Sequence, residues 1–217
     1  MSKYRILLFD LDGTISDPKE GITKSVQYAL QKMGINEPDL EKLTPFIGPP
    51  LQVSFKEFYG FSNDQTDQAI TFYRERFKEK GMFENKLYEG IPALLAKLKD
   101  DGYRLAIATS KLTIFSEEIL RYFKIHHYFE VIVGSNLDGS RSAKEDVISY
   151  LLDYYNDYVR ADVVMIGDRK YDIIGAQIND IESIGVTYGY GSKEELTAAK
   201  ATHIVDSIDE LLEIIER

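Results

Sequence analysis

From Tyr88 to the end of the chain, short apolar segments of strand length alternate with segments of helical periodicity. The predicted strands are Arg104–Ala108, Glu130–Val133, Asp162–Ile166, Ser183–Thr187 and His203–Val205. Strands that alternate with helices are joined by right-handed crossovers, which produce a mostly parallel sheet. The sequence therefore predicts an α/β fold: a Rossmann-like, mostly parallel sheet with helices on both faces.

A long helical segment separates this region from the first predicted strand, Tyr4–Phe9. Apolar residues recur there at helical spacing, no strand pattern appears, and about four helices are predicted. We expect an α/β core formed by residues 1–15 and 88–217, and a small all-helical cap inserted at residues 16–87. An insert that follows the first strand directly would overhang the carboxyl edge of the sheet as a lid.

The composition is that of an ordinary globular protein, and its charge does not exclude a small phosphate ester as ligand. The chain of 217 residues is 44% hydrophobic and 29% charged, with a formal net charge of −10. Nucleic-acid polymers are bound largely through basic patches, so this charge argues against such a partner. The absence of cysteine excludes disulfides, thiolate nucleophiles and zinc–thiolate sites. No apolar run is long enough to span a bilayer and no export signal is apparent, so we expect a cytoplasmic protein without a membrane partner.

Two pairs of aspartates follow predicted strands. Asp10 and Asp12 come directly after the first strand, and Asp168 and Asp172 follow the strand that ends at Ile166. Open α/β sheets bind their ligands at the carboxyl ends of the strands. Carboxylates held close together need a compensating cation, usually a divalent ion with oxygen ligands. These residues therefore predict a Mg²⁺ ion and an anionic substrate.

The spacing of the first pair allows its two carboxylates to differ in function. Gly13 ends the strand and lets the backbone turn, so Asp10 and Asp12 need not face the same way. Asp10 can then attack phosphorus, while Asp12 exchanges a proton with the leaving group and with water. An Asp-Gly pair is also a common turn signal, and a simple turn is the structural alternative.

These segments resemble the motifs of the haloacid dehalogenase superfamily, and the resemblance covers nearly the whole chain. Asp10–Thr14 is similar to the first motif and Ile107–Lys111 to the second. Lys144 matches the third motif, and Gly167–Asp172 matches the acidic fourth motif. The helical insert after the first motif, with Phe46–Leu51 similar to a lid loop, resembles the phosphoglycolate phosphatase-like branch.

The resemblance implies a role for each of these positions. In such enzymes the first aspartate becomes an aspartyl-phosphate and the second is the acid and base, which implies these roles for Asp10 and Asp12. Three residues are implied to bind the transferred phosphoryl group: Thr109, Ser110 through its amide, and Lys144. The implied Mg²⁺ ligands are Asp10, the backbone carbonyl of Asp12, and Asp168. Asp172 is not expected to bind the metal itself but to hold the surrounding residues in place.

Physical reasoning also favours an anionic partner for Lys144. Ser142 and Glu145 have the spacing of a capping box, which predicts Lys144 in the first turn of a helix. The helix dipole disfavours a cation there by roughly 0.3–1 kcal/mol. A nearby carboxylate or phosphate would remove this conflict, and a solvated surface lysine is the alternative.

One later segment has no predicted role in catalysis. Gly189-Tyr-Gly191 lacks the full dinucleotide-binding fingerprint, so it is expected to be a loop that leads into a capped helix. The three histidines lie away from the motifs and are expected to be surface or packing residues.

Together, these features predict a phosphoric monoester hydrolase: a Mg²⁺-dependent phosphatase that acts on a small phosphate monoester, similar to phosphoglycolate, through an aspartyl-phosphate. The alternatives are a 5'-nucleotidase acting on nucleoside monophosphates and a sugar phosphomutase of the same superfamily. A dehalogenase would leave Asp12 and Asp168 unexplained, and a phosphorylated signalling receiver would need no helical insert. A catalytically silent protein would not need the expected residue at every motif position, and all of these residues are present. The expected partner is a small phosphorylated metabolite, and the sequence carries no signal for an oligomeric state.

Overall fold

The computed structural model describes residues 3–217, which form two compact units. The α/β unit comprises the chain through Asp17 together with Leu87–Arg217, and the helical unit comprises Pro18–Lys86. No helix within residues 3–217 combines the length and the apolar character needed to cross a membrane.

The α/β unit is built on a six-stranded sheet with the order β5-β4-β1-β6-β7-β8. The strands are β1 (Ile6–Phe9), β2 (Ser16–Asp17), β3 (Lys86–Leu87), β4 (Arg104–Leu112), β5 (Val131–Ser135), β6 (Val163–Gly167), β7 (Glu182–Val186) and β8 (His203–Val205). Each pair of neighbouring strands in the large sheet is parallel. The predicted α/β fold with a mostly parallel sheet is confirmed.

The helices occupy the connections between these strands. They are α1 (Lys19–Lys32), α2 (Leu51–Tyr59), α3 (Asn63–Glu79), α4 (Ile91–Asp100), α5 (Thr113–Tyr122), α6 (Lys144–Tyr154), α7 (Lys170–Ile178), α8 (Lys193–Ala198) and α9 (Ile208–Glu216). A helix connects each successive pair of parallel strands from β4 to β8, which is the arrangement that the alternating sequence pattern predicts.

Strand β1 lies at the centre of the sheet, between β4 and β6, and all four of its residues are fully buried. This explains its uninterrupted apolar sequence, because a strand covered on both faces has no solvated side. Phe9 is in register with Ile107 of β4 and Ile166 of β6. The carboxyl ends of these three strands therefore lie side by side, and each of them leads into a motif with candidate catalytic residues.

The helical unit contains α1, α2 and α3 together with two short 3-10 helices, Leu40–Phe46 and Gly81–Phe83. Helix α3 begins with a capping box: the Ser62 hydroxyl accepts the Gln65 N–H, and the Gln65 side chain accepts the Ser62 N–H. The segment Leu40–Phe46 forms a 3-10 helix that contains Pro45, a residue that removes a backbone donor and disfavours a regular α-helix.

Two local predictions differ from the structure. Strand β4 continues to Leu112 rather than ending at Ala108, with a register shift against β5 between these two residues. Such an irregularity lets the strand remain extended while it redirects its side chains. Ser142 does not cap α6: the N-cap is Ala143, without a side-chain hydrogen bond, so the predicted capping box is wrong.

Candidate active site

The first acidic motif forms a tight turn at the end of β1. The Asp10 N–H donates to the Ile166 carbonyl at 2.9 Å, which extends the pairing of β1 with β6 by one residue. The chain then reverses at Gly13, whose φ of +88° is accessible to glycine at little cost. A Cβ at Gly13 would lie 2.2 Å from an Asp168 carboxylate oxygen, so glycine is also needed to admit that side chain.

Lys144 is buried beside the Asp10 carboxylate. It is the first residue of α6 and only 4% exposed, so it is not a solvated surface lysine. Its Nζ lies 2.8 Å from Asp10 Oδ1 and 2.7 Å from Asp172 Oδ1, and it donates to the Ala108 carbonyl at 2.7 Å. Burial opposes the charge, but the two carboxylates raise the pKa of Lys144 above its ordinary value. These carboxylates supply the anionic partners expected for a cation at a helix N-terminus.

Three buried carboxylates, which we call the acidic cluster, come together here: Asp10, Asp168 and Asp172. One oxygen of each lies within 4.8 Å of the others. Burial raises the pKa of Asp168 well above its ordinary value, and the carboxylates of Asp172 and Asp10 raise it further. A single lysine cannot neutralise three carboxylates, and a group of oxygen donors without nitrogen or sulfur suits Mg²⁺. The donor set therefore fits the expected ion.

Asp172 is also held by protein donors. Its Oδ2 accepts the Arg169 N–H at 3.0 Å, while Oδ1 is the oxygen that faces Lys144. Burial raises the pKa of the Asp172 carboxyl, and the charge of Lys144 opposes this rise. Gly167 makes room for the side chain, because a Cβ there would lie 2.2 Å from the Asp172 carboxyl carbon.

Asp12 is paired with Lys111, a residue for which no role was expected from the sequence. Lys111 Nζ lies 2.8 Å from Asp12 Oδ2, and the lysine side chain is 8% exposed. Asp12 Oδ1 has no hydrogen-bond partner among residues 3–217. Burial raises the pKa of Asp12, and Lys111 opposes that rise. Because the strand was predicted to end at Ala108, residue spacing did not place Lys111 near Asp12; their pairing depends on the irregular continuation of β4.

Thr109 and Ser110 lie in the irregular part of β4, next to these groups. Thr109 is 2% exposed, and its hydroxyl accepts the Lys111 N–H at 3.3 Å. The Ser110 hydroxyl is buried without a hydrogen-bond partner in the part of the chain that the structure describes. Its carbonyl accepts the Ser135 hydroxyl at 3.0 Å, which fixes the backbone of the second motif to β5.

The loop that follows β7 also reaches this edge of the sheet. The Tyr190 N–H donates to Asp168 Oδ2 at 2.7 Å, and the Tyr188 hydroxyl donates to the Thr14 carbonyl at 3.2 Å. The sequence predicts a connecting loop here but not the contact of this loop with the acidic cluster. Its position after a strand neighbouring β6 was the available signal, because parallel strands end at a common edge.

All of these residues belong to the α/β unit. The structure brings the predicted site residues Asp10, Asp168 and Asp172 together in the acidic cluster. Lys144 contacts two of its members, Asp12 lies in the turn after Asp10, and Thr109 and Ser110 lie on the neighbouring strand. The arrangement places a candidate nucleophilic carboxylate, two lysines and a candidate metal site at one edge of the sheet. Such a set of groups can bind an anionic substrate and react with it.

Comparisons with known proteins identify this arrangement. The family model described as haloacid dehalogenase-like hydrolase matches residues 7–186. A 5'-nucleotidase of Pseudomonas aeruginosa is 46% identical over 215 residues, which is 99% of this chain and 96% of that protein. A tyrosine-protein kinase, PtkA, of Mycobacterium tuberculosis is 36% identical over 213 residues, or 97% of this chain and 72% of that protein.

A solved structure of a predicted phosphatase from Clostridium acetobutylicum is 56% identical, with a TM-score of 0.95 and 98% of both chains covered. More distant relatives that match nearly the full length of the chain are phosphoglycolate phosphatases. These matches confirm the expected enzyme class of phosphoric monoester hydrolase. The chain belongs to the haloacid dehalogenase-like hydrolases, in their phosphoglycolate phosphatase-like branch.

Proposed function

We propose that the protein is a Mg²⁺-dependent phosphatase that hydrolyses small phosphate monoesters through an aspartyl-phosphate on Asp10. The observation that carries this proposal is the surroundings of Asp10. Its carboxylate lies at the end of the central strand, 2.8 Å from the Lys144 ammonium and within 4.8 Å of two further carboxylates. A nucleophile that must approach a phosphate dianion needs such positive charge beside it.

The residues support a reaction in two steps. An Asp10 carboxylate oxygen attacks phosphorus and the ester P–O bond breaks, while the Asp12 carboxyl donates its proton to the leaving alkoxide. Water then attacks the same phosphorus, Asp12 takes back a proton, and the aspartyl P–O bond breaks to release phosphate. Burial favours the protonated form of Asp12 that the first step requires, and Lys111 favours the ionised form that the second requires.

The remaining residues would bind the phosphoryl oxygens and the metal. Asp10, the backbone carbonyl of Asp12, and Asp168 would hold Mg²⁺, which when bound neutralises charge on the transferred phosphoryl group. Asp172 would support the site through its contacts with Lys144 and the Arg169 amide. Lys144 and the Thr109 hydroxyl would bind the phosphoryl oxygens.

For the substrate, we propose nucleoside monophosphates ahead of phosphoglycolate. The support comes from the 46% identical 5'-nucleotidase, since the similarity extends over nearly all of both chains. The phosphoglycolate phosphatase of Colwellia psychrerythraea is 28% identical over a comparable length. A sugar phosphomutase would use the same phosphoenzyme, but it would return the phosphate to a sugar rather than to water.

A phosphate-release assay over a panel of esters tests both parts of the proposal. The panel contains 5'-nucleotides, phosphoglycolate and hexose phosphates, each with Mg²⁺ and with EDTA. We expect the highest kcat/KM for a nucleotide, and loss of release in EDTA. A higher value for phosphoglycolate would contradict the nucleotide assignment, and an isomerised sugar without free phosphate would indicate a mutase.

The nucleophile is tested by Asp10→Asn, with Asp209→Asn as the matched control. Asp209 is an exposed aspartate in the first turn of α9, outside the candidate site. We expect Asp10→Asn to abolish both phosphate release and covalent labelling from a radioactive ester, and Asp209→Asn to retain both. Substantial release by Asp10→Asn would show that another group attacks phosphorus.

A further inference from the structure

The loop Tyr188–Gly191 contacts both acidic motifs of the site, although neither motif is near it in sequence. The Tyr190 N–H donates to Asp168 Oδ2 at 2.7 Å. The Tyr190 hydroxyl donates to a carboxylate oxygen of Asp17, in strand β2. One residue thus contacts a candidate metal ligand through its backbone and the turn region after the first motif through its side chain.

We propose that Tyr190 is a positioning residue of the metal site, which orients the Asp168 carboxylate through its backbone N–H and is itself fixed by its hydroxyl on Asp17. The inference rests on the proposed Mg²⁺-dependent function, because orientation of Asp168 matters only if this carboxylate binds the ion. Groups that hydrogen-bond a metal ligand fix its orientation, and their loss typically weakens metal binding.

The glycines on either side of Tyr190 show how closely this loop approaches Asp168. A Cβ at Gly189 would lie 2.3 Å from the Gly13 carbonyl oxygen and 2.5 Å from Asp168 Cβ. A Cβ at Gly191 would lie 1.8 Å from the Asp168 carbonyl oxygen. Glycine is therefore needed at both positions, since a side chain at either one would push the loop away from Asp168.

The hydrogen bond from the Tyr190 hydroxyl to Asp17 holds the Tyr190 backbone amide in place. Asp17 is the last residue of the α/β unit before the chain enters the helical unit. A phenol bound to a carboxylate makes a charge-assisted hydrogen bond, which is stronger than one between neutral groups. Without it, the loop would still be held by the Tyr188 hydroxyl on the Thr14 carbonyl, so we expect the fold to persist while the Tyr190 amide loses its fixed position.

Binding of Mn²⁺, used as a paramagnetic substitute for Mg²⁺, tests the proposal on the free protein. The signal of unbound Mn²⁺ in electron paramagnetic resonance gives the Kd without substrate or turnover. We expect Tyr190→Phe to raise the Kd about three- to tenfold, the size of effect expected for one lost hydrogen bond. We expect Asp17→Ala to raise it similarly, and the double variant to bind no more weakly than Tyr190→Phe alone.

Tyr103→Phe is the matched control. The Tyr103 hydroxyl also makes a buried hydrogen bond, to the Ile215 carbonyl at 3.2 Å, away from the site. Tyr103→Phe should lower the melting temperature in EDTA, as Tyr190→Phe does, and leave the Kd for Mn²⁺ unchanged. A purely structural role for Tyr190 would change the melting temperature alone. A positioning role also predicts that saturating Mg²⁺ restores the kcat of Tyr190→Phe.

Asp168→Asn separates failure of the inference from failure of the proposed function. If the wild type binds Mn²⁺ and Asp168→Asn does not, but Tyr190→Phe binds within twofold of the wild type, the positioning role is wrong and the metal site stands. If the wild type shows no saturable binding, or Asp168→Asn binds equally well, the metal site is wrong and the inference fails with it.

Discussion

Replacement of Lys144 by methionine should make the protein dependent on a divalent cation for stability. Methionine keeps an unbranched side chain of similar length and removes the charge that faces Asp10 and Asp172. The lysine Nζ lies 2.8 Å and 2.7 Å from oxygens of these two residues. Loss of the ammonium group leaves the buried carboxylates of Asp10 and Asp172 without this positive partner.

The structure sets the size of the expected effect. At an effective dielectric constant of about 20, opposite unit charges this far apart attract by about 6 kcal/mol per pair. The desolvation cost of the lysine offsets much of this, and removal of one partner from a buried ion pair typically costs about 3–5 kcal/mol. For a protein of this size that corresponds to a fall in the melting temperature of roughly 6–20 °C.

Urea unfolding followed by circular dichroism, in EDTA and in excess Mg²⁺, measures the effect. We expect Lys144→Met to be destabilised most in EDTA and to gain more from Mg²⁺ than the wild type does, because the ion restores the missing positive charge. Lys97→Met is the matched control. Lys97 also contacts two carboxylates, of Asp101 and Glu216 at 2.7 Å each, but 45% of its side chain is exposed.

We expect no measurable shift of the unfolding midpoint for Lys97→Met, since water and salt screen exposed pairs. If Lys144→Met were as stable as the wild type in EDTA, the acidic cluster would not need the ammonium, and the electrostatic reasoning for a cation at this site would be refuted.

Two further predictions concern other ion pairs. Lys111→Met removes the cation that opposes the rise in the pKa of Asp12, so the acidic limb of the kcat–pH profile should move to higher pH; an unmoved limb would show that Asp12 is not the titrating base. In the helical unit, Arg76 donates to both carboxylate oxygens of Glu84, at 2.7 and 3.0 Å, and these hydrogen bonds lower the pKa of Glu84. The stabilisation is present above the pKa of Glu84 in the unfolded chain and is lost as pH falls through its lower pKa in the folded protein. Glu84→Gln should therefore cost about 1 kcal/mol at pH 7, after allowance for partial solvent screening, and nothing at strongly acidic pH. Glu79→Gln, an exposed control in α3, should cost nothing at either pH; an equal loss in both variants would contradict the role of Arg76.

The sequence was sufficient for features that depend on local pattern. The apolar run of β1 predicted a strand, and the helical spacing of apolar residues predicted helices in the inserted segment, where α1 buries Ile22 and Val26. Asp10 and Asp168 could be placed together because both follow strands of one parallel sheet. These inferences need only side-chain periodicity and the common direction of the strands.

Features that depend on tertiary contacts could not be predicted in the same way. The continuation of β4 beyond Ala108 depends on irregular pairing with β5, which leaves no mark in residue periodicity. Ser142 has the spacing of a cap, but the backbone makes Ala143 the N-cap instead. The contact of Tyr190 with Asp168 depends on how two loops pack against each other, and local sequence propensity does not predict such packing.

The central position of β1 also has a consequence for the order in which the site is assembled. Ile6 pairs with Arg104 on one side and with Val163 on the other, so the first strand to be synthesised has no neighbour in the sheet until much later parts of the chain exist. Strands this distant in sequence can pair only after a long loop has closed. The entropy of loop closure is lost before the stabilising contacts form, which slows folding. During synthesis on the ribosome, β1, which leads into the candidate nucleophile, cannot pair on both sides until β6 has been made. We therefore expect the helical unit to fold before the residues of the candidate active site come together.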